Sequence, residues 1–180
     1  EGGGIAVDES ELIILNSTIS NNSAYRYGGI LVGSASSLYC EKTVISDNSV
    51  ERNGSAIGVI SSNSVELVNT TIANNTGEND VGGWGDWGAA IYFEVNGVSV
   101  KNGIFYNNDP SNWHARNNST ITVEYTNTGS PNPLFVDADN GDFTLQSASP
   151  CIDAGDPDLD GDGIEWGIDT DDQDPDGSRM

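Results

Sequence analysis

The sequence predicts an all-β protein, a parallel β-helix (a solenoid of stacked rungs) with about six rungs. The segment NTTIANN at residues 69–75 has three related copies, which start at residues 16, 42 and 102. The four copies therefore start 26, 27 and 33 residues apart. Such a spacing is typical of repeat architectures. The chain also contains 22 Gly in 180 residues and abundant Asn, Ser and Thr. This composition favours turns and strands over helices.

Each repeat contains the same elements in the same order. It opens with a small residue followed by an apolar one, as in Gly4-Ile5 and Ala56-Ile57. A period-two strand follows, with alternate apolar side chains on one face. The Asn-rich phrase comes next, and a loop returns the chain to the next small residue. Three short strands joined by turns, without a helix, describe one rung of a parallel β-helix.

Stacking of the rungs about 4.8 Å apart places like residues on like residues. One interior column is expected to contain Ile19, Ile45, Ile72 and Phe105. An internal ladder of hydrogen-bonded side-chain amides is expected from Asn22, Asn48, Asn75 and Asn108. Cys40 falls in another apolar column and is expected to be a small buried hydrophobe. A disulfide between Cys40 and Cys151 is the alternative.

Weaker fifth and sixth rungs are predicted at residues 120–125 and 142–146. Three nearby phrases are NPLFVD (132–137), GDFTL (141–145) and SPCIDAGDP (149–157). They resemble the closing rungs of secreted bacterial right-handed β-helix proteins, which are pectate-lyase-like or polymorphic-outer-membrane-protein-like. The resemblance implies a right-handed solenoid over residues 1–155 of a protein that is secreted or displayed at the cell surface. It implies no single activity, because that group includes lyases, hydrolases, adhesins and inert stalks.

The charge of the chain excludes several kinds of partner. Lys and Arg number 6 against 28 Asp and Glu, which gives a formal net charge of −22. Nucleic acid is not an expected partner, because phosphate binding needs clustered cations. No run of 18 apolar residues occurs, so membrane insertion is not expected. A packed domain of this charge repels itself unless cations offset the charge.

Residues 156–180 are predicted to form an acidic calcium-binding region that closes the C-terminal end. The carboxylates at positions 1, 3, 5 and 12 of a calcium-loop pattern are Asp158, Asp160, Asp162 and Asp169. Gly163 provides the sharp turn at position 6, and Ile164 offers its carbonyl at position 7. Aspartate at position 12 resembles dockerin-type and thrombospondin-type-3 loops. A solvated acidic turn is the alternative.

Loops after the Asn-rich phrases are rich in aromatic and basic residues, and the register predicts that they share one edge of the solenoid. The candidate ligand-binding residues there are Tyr25, Tyr27, Trp84, Trp87, Trp113, His114 and Arg116. Aromatic faces beside hydrogen-bonding groups suit sugar rings, so the expected partner is an extracellular polysaccharide or a cell-surface glycan. The alternative is that these aromatics pack on one another and on Arg side chains.

The sequence favours a non-catalytic, calcium-stabilised structural or adhesive module. A fragment of a polysaccharide lyase or glycoside hydrolase is the enzymatic alternative. Lyases of the resembled group need a basic residue beside calcium, whereas Lys42 and Lys101 are expected to lie two rungs apart in one column, and His114 is the one histidine. Two further alternatives are a carbohydrate-binding module that uses the aromatic edge and a subunit that associates head to tail through an open N-terminal rung.

Calcium is predicted to stabilise the folded chain. A ligand that binds only the native state adds roughly 2.7 kcal/mol at 100 times its dissociation constant. The melting temperature measured by calorimetry should therefore rise with added calcium and fall with a chelator. A melting curve that is indifferent to the chelator would contradict the prediction.

Overall fold

A computed structural model describes residues 2–61, 64–78 and 88–158 of the chain. Short strands from successive rungs hydrogen-bond in parallel and stack into a β-solenoid of about four turns, which confirms the predicted fold class. The apolar core lies inside the coil. In the described part of the chain, no helix has the length and hydropathy needed to cross a bilayer.

The strands fall into rungs that repeat the same order. The first rung contains β1 (Ile5–Val7), β2 (Glu11–Leu15), β3 (Thr18–Ser20) and β4 (Ser23–Arg26). The second contains β5 (Ile30–Val32), β6 (Ser37–Glu41), β7 (Val44–Ser46) and β8 (Ser49–Arg52). The third contains β9 (Ile57–Val59), β10 (Ser64–Val68), β11 (Thr71–Ala73) and β12 (Thr76–Gly77). The fourth contains β13 (Ile91–Phe93), β14 (Val98–Lys101) and β15 (Ile104–Tyr106), and a partial fifth contains β16 (Trp113–Ala115) and β17 (Ile121–Glu124).

Corresponding strands of successive rungs form four sheets, called A to D in the order in which each rung visits them, so a full rung has four strands rather than the three predicted. The register confirms the predicted interior column in sheet C, where the paired residues are Ile19, Ile45, Ile72 and Phe105. These four side chains are buried. Cys40 is also fully buried, as predicted, and its thiol and that of Cys151 are free. Each fully buried apolar side chain of this size contributes roughly 1.5–3 kcal/mol.

The predicted amide ladder is present at the corner between sheets C and D. The Nδ2 group of Asn22 donates to Asn48 Oδ1 at 2.9 Å, and that of Asn48 donates to Asn75 Oδ1 at 3.0 Å. Asn75 continues the ladder to Asn108 at 3.1 Å. Each acceptor oxygen also receives the backbone N–H of the preceding ladder residue. The side chains therefore fix the vertical register with bonds from main chain and side chain together.

Backbone conformation gives a second reason for the recurrence of Asn. The first and sixth residues of every copy of the phrase have a left-handed backbone. The first positions are Asn16, Lys42, Asn69 and Asn102, with φ between 48° and 54°. The sixth positions are Asn21, Asp47, Asn74 and Asn107, with φ between 50° and 58°. Asn and Asp tolerate this region best among residues with a side chain, so the phrase encodes two corners of every rung.

The small residues that open each repeat lie where successive rungs approach most closely. A Cβ atom on Gly28 would lie 2.5 Å from the carbonyl oxygen of Ser55. One on Gly29 would lie equally close, at 2.5 Å, to the carbonyl oxygen of Ala56. The corner between sheets D and A therefore admits glycine here for steric reasons.

The prediction of a sixth rung at 142–146 is wrong. Strand β19 (Asp142–Leu145) instead pairs antiparallel with β18 (Phe135–Asp137). A short 3-10 helix, Ala138–Asn140, connects the two strands. The left-handed Gly141 (φ 81°) ends that helix and turns the chain back. The predicted fifth rung is present in part, because β17 pairs with β14. The solenoid therefore has about four turns rather than six.

The C-terminal hairpin packs on the outer face of sheet C. The ring of Phe135 lies 5.5 Å from that of Tyr106 and 5.2 Å from that of Phe143, both edge-on. Asn74 Nδ2 donates to the carbonyl of Ala138 at 3.0 Å. The hairpin is thus a strap along the rungs, attached by aromatic packing and a hydrogen bond.

The interior of the ladder should be far more sensitive to mutation than its end. Replacing Asn75 by Ala leaves two donors of Asn48 without the acceptor they use, which should lower the free energy of unfolding by about 2–5 kcal/mol. Replacing Asn22 by Ala should cost about 1 kcal/mol, because Asn48 Oδ1 keeps its bond from the Asn22 backbone N–H. Urea unfolding measures both values. Equal losses would contradict a ladder that sets the register.

Candidate functional site

A groove lies between the C-terminal segment and the corner that joins sheets B and C. Its volume is about 640 Å³. The rung side is lined by residues that include Lys42, Asn69, Thr71, Asn102 and Ile104. Tyr125 also lies on the rung side, and the opposite side includes Pro131, Leu145, Pro150 and Cys151. We call this feature the corner groove.

The floor of the corner groove follows the column of left-handed residues. Lys101 pairs with Glu124 across β14 and β17, so Tyr125 (φ 45°) continues the column that contains Asn102 (φ 54°). Lys42, Asn69, Asn102 and Tyr125 therefore lie at equivalent positions of successive rungs, and all four line the groove. The expectation that Lys101 shares the column of Lys42 is wrong, because Lys101 pairs with Val68 and lies one position before that column. The first member of the column, Asn16 (φ 48°), lies outside it. The repeat that builds the scaffold thus also places side chains along the groove.

Two side-chain amides of this column carry buried donors. The Nδ2 atoms of Asn69 and Asn102 are inaccessible to solvent and have no hydrogen-bond acceptor among the described residues. The Oδ1 atom of the Asn102 amide accepts the backbone N–H of Asp156 at 2.8 Å. A buried donor without a partner costs about 1–3 kcal/mol, so native proteins usually supply an acceptor. Both amides line the corner groove.

An ion pair holds the far wall of the corner groove against the rungs. Lys101 Nζ lies 2.6 Å from Asp156 Oδ2, and the carboxylate raises the pKa of the lysine. Asp156 therefore contacts the fourth rung twice, through this pair and through Asn102. On the groove lining itself, Lys42 Nζ lies 3.8 Å from Glu41 Oε1. The positive charge at the groove is thus largely balanced by neighbouring carboxylates.

A second cluster lies on the outer face of sheet A. The rings of Tyr92 and His114 stack with centroids 5.9 Å apart and planes inclined by 8°. The Tyr92 hydroxyl donates to Glu94 Oε1 at 2.5 Å, and Arg116 Nη1 donates to both Tyr92 Oη and Glu94 Oε1 at 3.3 and 3.1 Å. Burial, and then the hydrogen bond to Glu94, raise the pKa of Tyr92 to about 12. These contacts fix His114 and Arg116 by stacking and ion pairing.

The other described residues of the predicted aromatic edge are separated. Tyr25 lies in sheet D and is 55% exposed, and the guanidinium carbons of Arg26 and Arg52 lie 5.9 and 6.0 Å from the centroid of its ring. Tyr27 is buried, and its ring lies against the backbone of Gly58. The Trp113 ring packs against Phe105 at 5.5 Å and adjoins the core. The structure therefore brings His114 and Arg116 together but places Tyr25 on another sheet.

Several predicted site residues lie outside the described part of the chain. They are Trp84, Trp87, Asp160, Asp162, Ile164 and Asp169. Asp158 is described, and its backbone N–H donates to Asp156 Oδ1 at 3.2 Å. Within residues 2–61, 64–78 and 88–158, no group of three His, Cys, Asp or Glu side chains is arranged to hold a metal ion. The calcium loop stays a prediction.

Sequence reasoning assigned Asn69 to the scaffold and missed the corner groove. The groove exists because the hairpin folds back over sheet C, a long-range contact that the repeat pattern does not encode. The sequence contained one indication of the groove. Lys42 and Tyr125 break the preference for Asn at the left-handed corner, and both line the groove.

Comparisons with protein-family models, with curated proteins and with solved structures found no match for this chain. The strand pairing alone therefore establishes the parallel β-solenoid. The resemblance to pectate-lyase-like and polymorphic-outer-membrane-protein-like proteins stays a prediction from the sequence phrases.

The Tyr92 cluster should make stability depend on alkaline pH. The native pKa of about 12 lies above the ordinary value, so the native state keeps a proton that the unfolded chain loses. The resulting stabilisation is fully present below pH ~10 and is lost as the pH rises towards 12. Urea unfolding of the parent and of Tyr92→Phe across this range should show a difference in stability that narrows as the pH rises. A constant difference would contradict the assignment.

Proposed function

We propose that this chain is a non-catalytic structural module that serves as a rigid spacer or adhesive element outside the cell. The observation that carries the proposal is the unbroken vertical register of the rungs. Each of the first four rungs contributes an Asn to one hydrogen-bonded ladder and apolar side chains to the core. A stack fixed at each level by side-chain and backbone bonds is suited to holding other parts of a protein at a set distance.

Three of the basic residues, Lys101, His114 and Arg116, are engaged in structural contacts. Lys101 pairs with Asp156 and so attaches the C-terminal segment. His114 stacks on Tyr92, and Arg116 pairs with Glu94. A general base must reach the proton that it abstracts, and residues committed to internal contacts are poorly placed to do so. These contacts support a structural role over lyase or hydrolase activity.

An extracellular location and calcium are parts of the same proposal. The net charge of −22 favours a cation-rich environment, because bound cations offset the repulsion within the fold. The carboxylate spacing from Asp158 onward suits calcium, and the closing phrases resemble those of secreted β-helix proteins. Head-to-tail association through the N-terminal rung stays a prediction that light scattering of the purified chain can test.

An activity assay tests the non-catalytic reading. The chain would be incubated with polygalacturonate, alginate, xylan and cellulose, each with calcium and with a chelator. Absorbance at 235 nm reports lyase products, and newly formed reducing ends report hydrolysis. We expect product formation no faster than in buffer. Product formed by the parent but not by Lys101→Met or His114→Gln would contradict the proposal, and the two variants would identify which cluster is responsible.

A further inference from the structure

We infer that the corner groove binds a neutral oligosaccharide. This inference goes beyond the spacer function and does not depend on it. Three independent features of the groove carry it: buried donors without acceptors, an exposed aromatic ring among apolar walls, and a nearly balanced charge.

The buried donors define what the ligand must supply. The Nδ2 groups of Asn69 and Asn102 belong to consecutive rungs, and neither has an acceptor within the described structure. Strands of neighbouring rungs lie about 4.8 Å apart, so Asn69 and Asn102 are separated by about one strand spacing along the groove. A metal ion cannot satisfy N–H donors, whereas hydroxyl and ring oxygens of a sugar can. Binding requires each amide to turn towards the groove that both residues line, after which a sugar oxygen would accept the two unpaired donors.

The walls suit the other face of a sugar ring. Tyr125 is 54% exposed at the groove, and its left-handed backbone is unusual for an aromatic residue. Pro131, Leu145 and Pro150 add apolar surface nearby. Sugar rings present C–H groups on one face and hydroxyl groups at the rim, which matches an aromatic platform beside amide donors. The volume of about 640 Å³ lies within the range of small-molecule sites.

Electrostatics select a neutral ligand over a polyanion. Lys42 is a charged side chain on the lining, and Glu41 lies close enough to balance much of its charge. Lys101 is paired with Asp156 behind the wall. The chain as a whole carries a net charge of −22, which repels acidic polysaccharides. A neutral chain of hexose or pentose units meets no such barrier.

The groove offers matched variants for a test. Asn69→Gly removes one donor, and glycine accepts the left-handed backbone at this position (φ 49°). Asn16→Gly makes the same change at the equivalent corner of the first rung (φ 48°), outside the groove. Tyr125→Asn removes the aromatic platform and also suits a left-handed residue. Tyr25→Asn is its control, because Tyr25 is equally exposed (55%) on another sheet.

The experiment is titration calorimetry of the full chain with cellohexaose, xylohexaose, mannohexaose, chitohexaose and hexagalacturonate, after circular dichroism has confirmed that each variant is folded. We expect at least one neutral hexasaccharide to bind with a Kd tighter than about 1 mM and hexagalacturonate to bind more weakly. Asn69→Gly and Tyr125→Asn should each weaken that binding by about tenfold, equivalent to 1.4 kcal/mol, and the two controls should not.

Three results would overturn the inference. The first is the absence of binding by every neutral member of the panel at millimolar concentration. The second is tighter binding of hexagalacturonate than of any neutral sugar. The third is binding that Asn69→Gly and Tyr125→Asn leave intact, and a loss in Tyr25→Asn would then place the site in sheet D. None of these results bears on whether the solenoid is a non-catalytic spacer.

Discussion

The vertical register of the rungs is the constraint on which the other features depend. In a ladder such as Asn48–Asn75–Asn108, every amide must lie directly above the next. A slip of one residue would turn apolar side chains outward and leave buried amides without partners. A slip would therefore destabilise both the apolar core and the amide ladder at the corner. Because the register is fixed there, equivalent residues align on the outside as well, and the groove floor is one such alignment.

Two residues depart from the preference for Asn at the left-handed corner between sheets B and C. A left-handed backbone costs a residue other than Gly, Asn or Asp roughly 1–2 kcal/mol. Asn occupies this corner in the first, third and fourth rungs, whereas Lys42 and Tyr125 occupy it in the second and fifth. Departures from local preference tend to collect at functional sites. Both departures line the corner groove beside Asn69 and Asn102, so this corner combines a charged, an aromatic and two amide side chains.

The sequence was a good guide where local pattern and fold agree. Its period located the interior columns and the ladder, because stacking repeats a rung and its side chains together. It failed at 142–146, since alternation of apolar and polar residues describes a strand but not its partner. Asp142–Leu145 pairs with Phe135–Asp137 for reasons that lie in Gly141 and in the packing of Phe135 on Tyr106. Trp113 looked like a loop aromatic, although its pairing with Ile91 makes it part of the stack.

The C-terminal segment determines where along the solenoid a corner groove can form. Every rung presents the same corner between sheets B and C, but that corner becomes a groove only where the C-terminal segment folds back over it. Asp156 holds the segment there through Lys101 and Asn102. A ligand that contacts both sides would strengthen this attachment, since it binds only when the segment is docked. The scaffold is repetitive, whereas among the described residues this groove is formed at one place, so avid attachment to a polysaccharide would require several copies of the chain rather than several rungs of one.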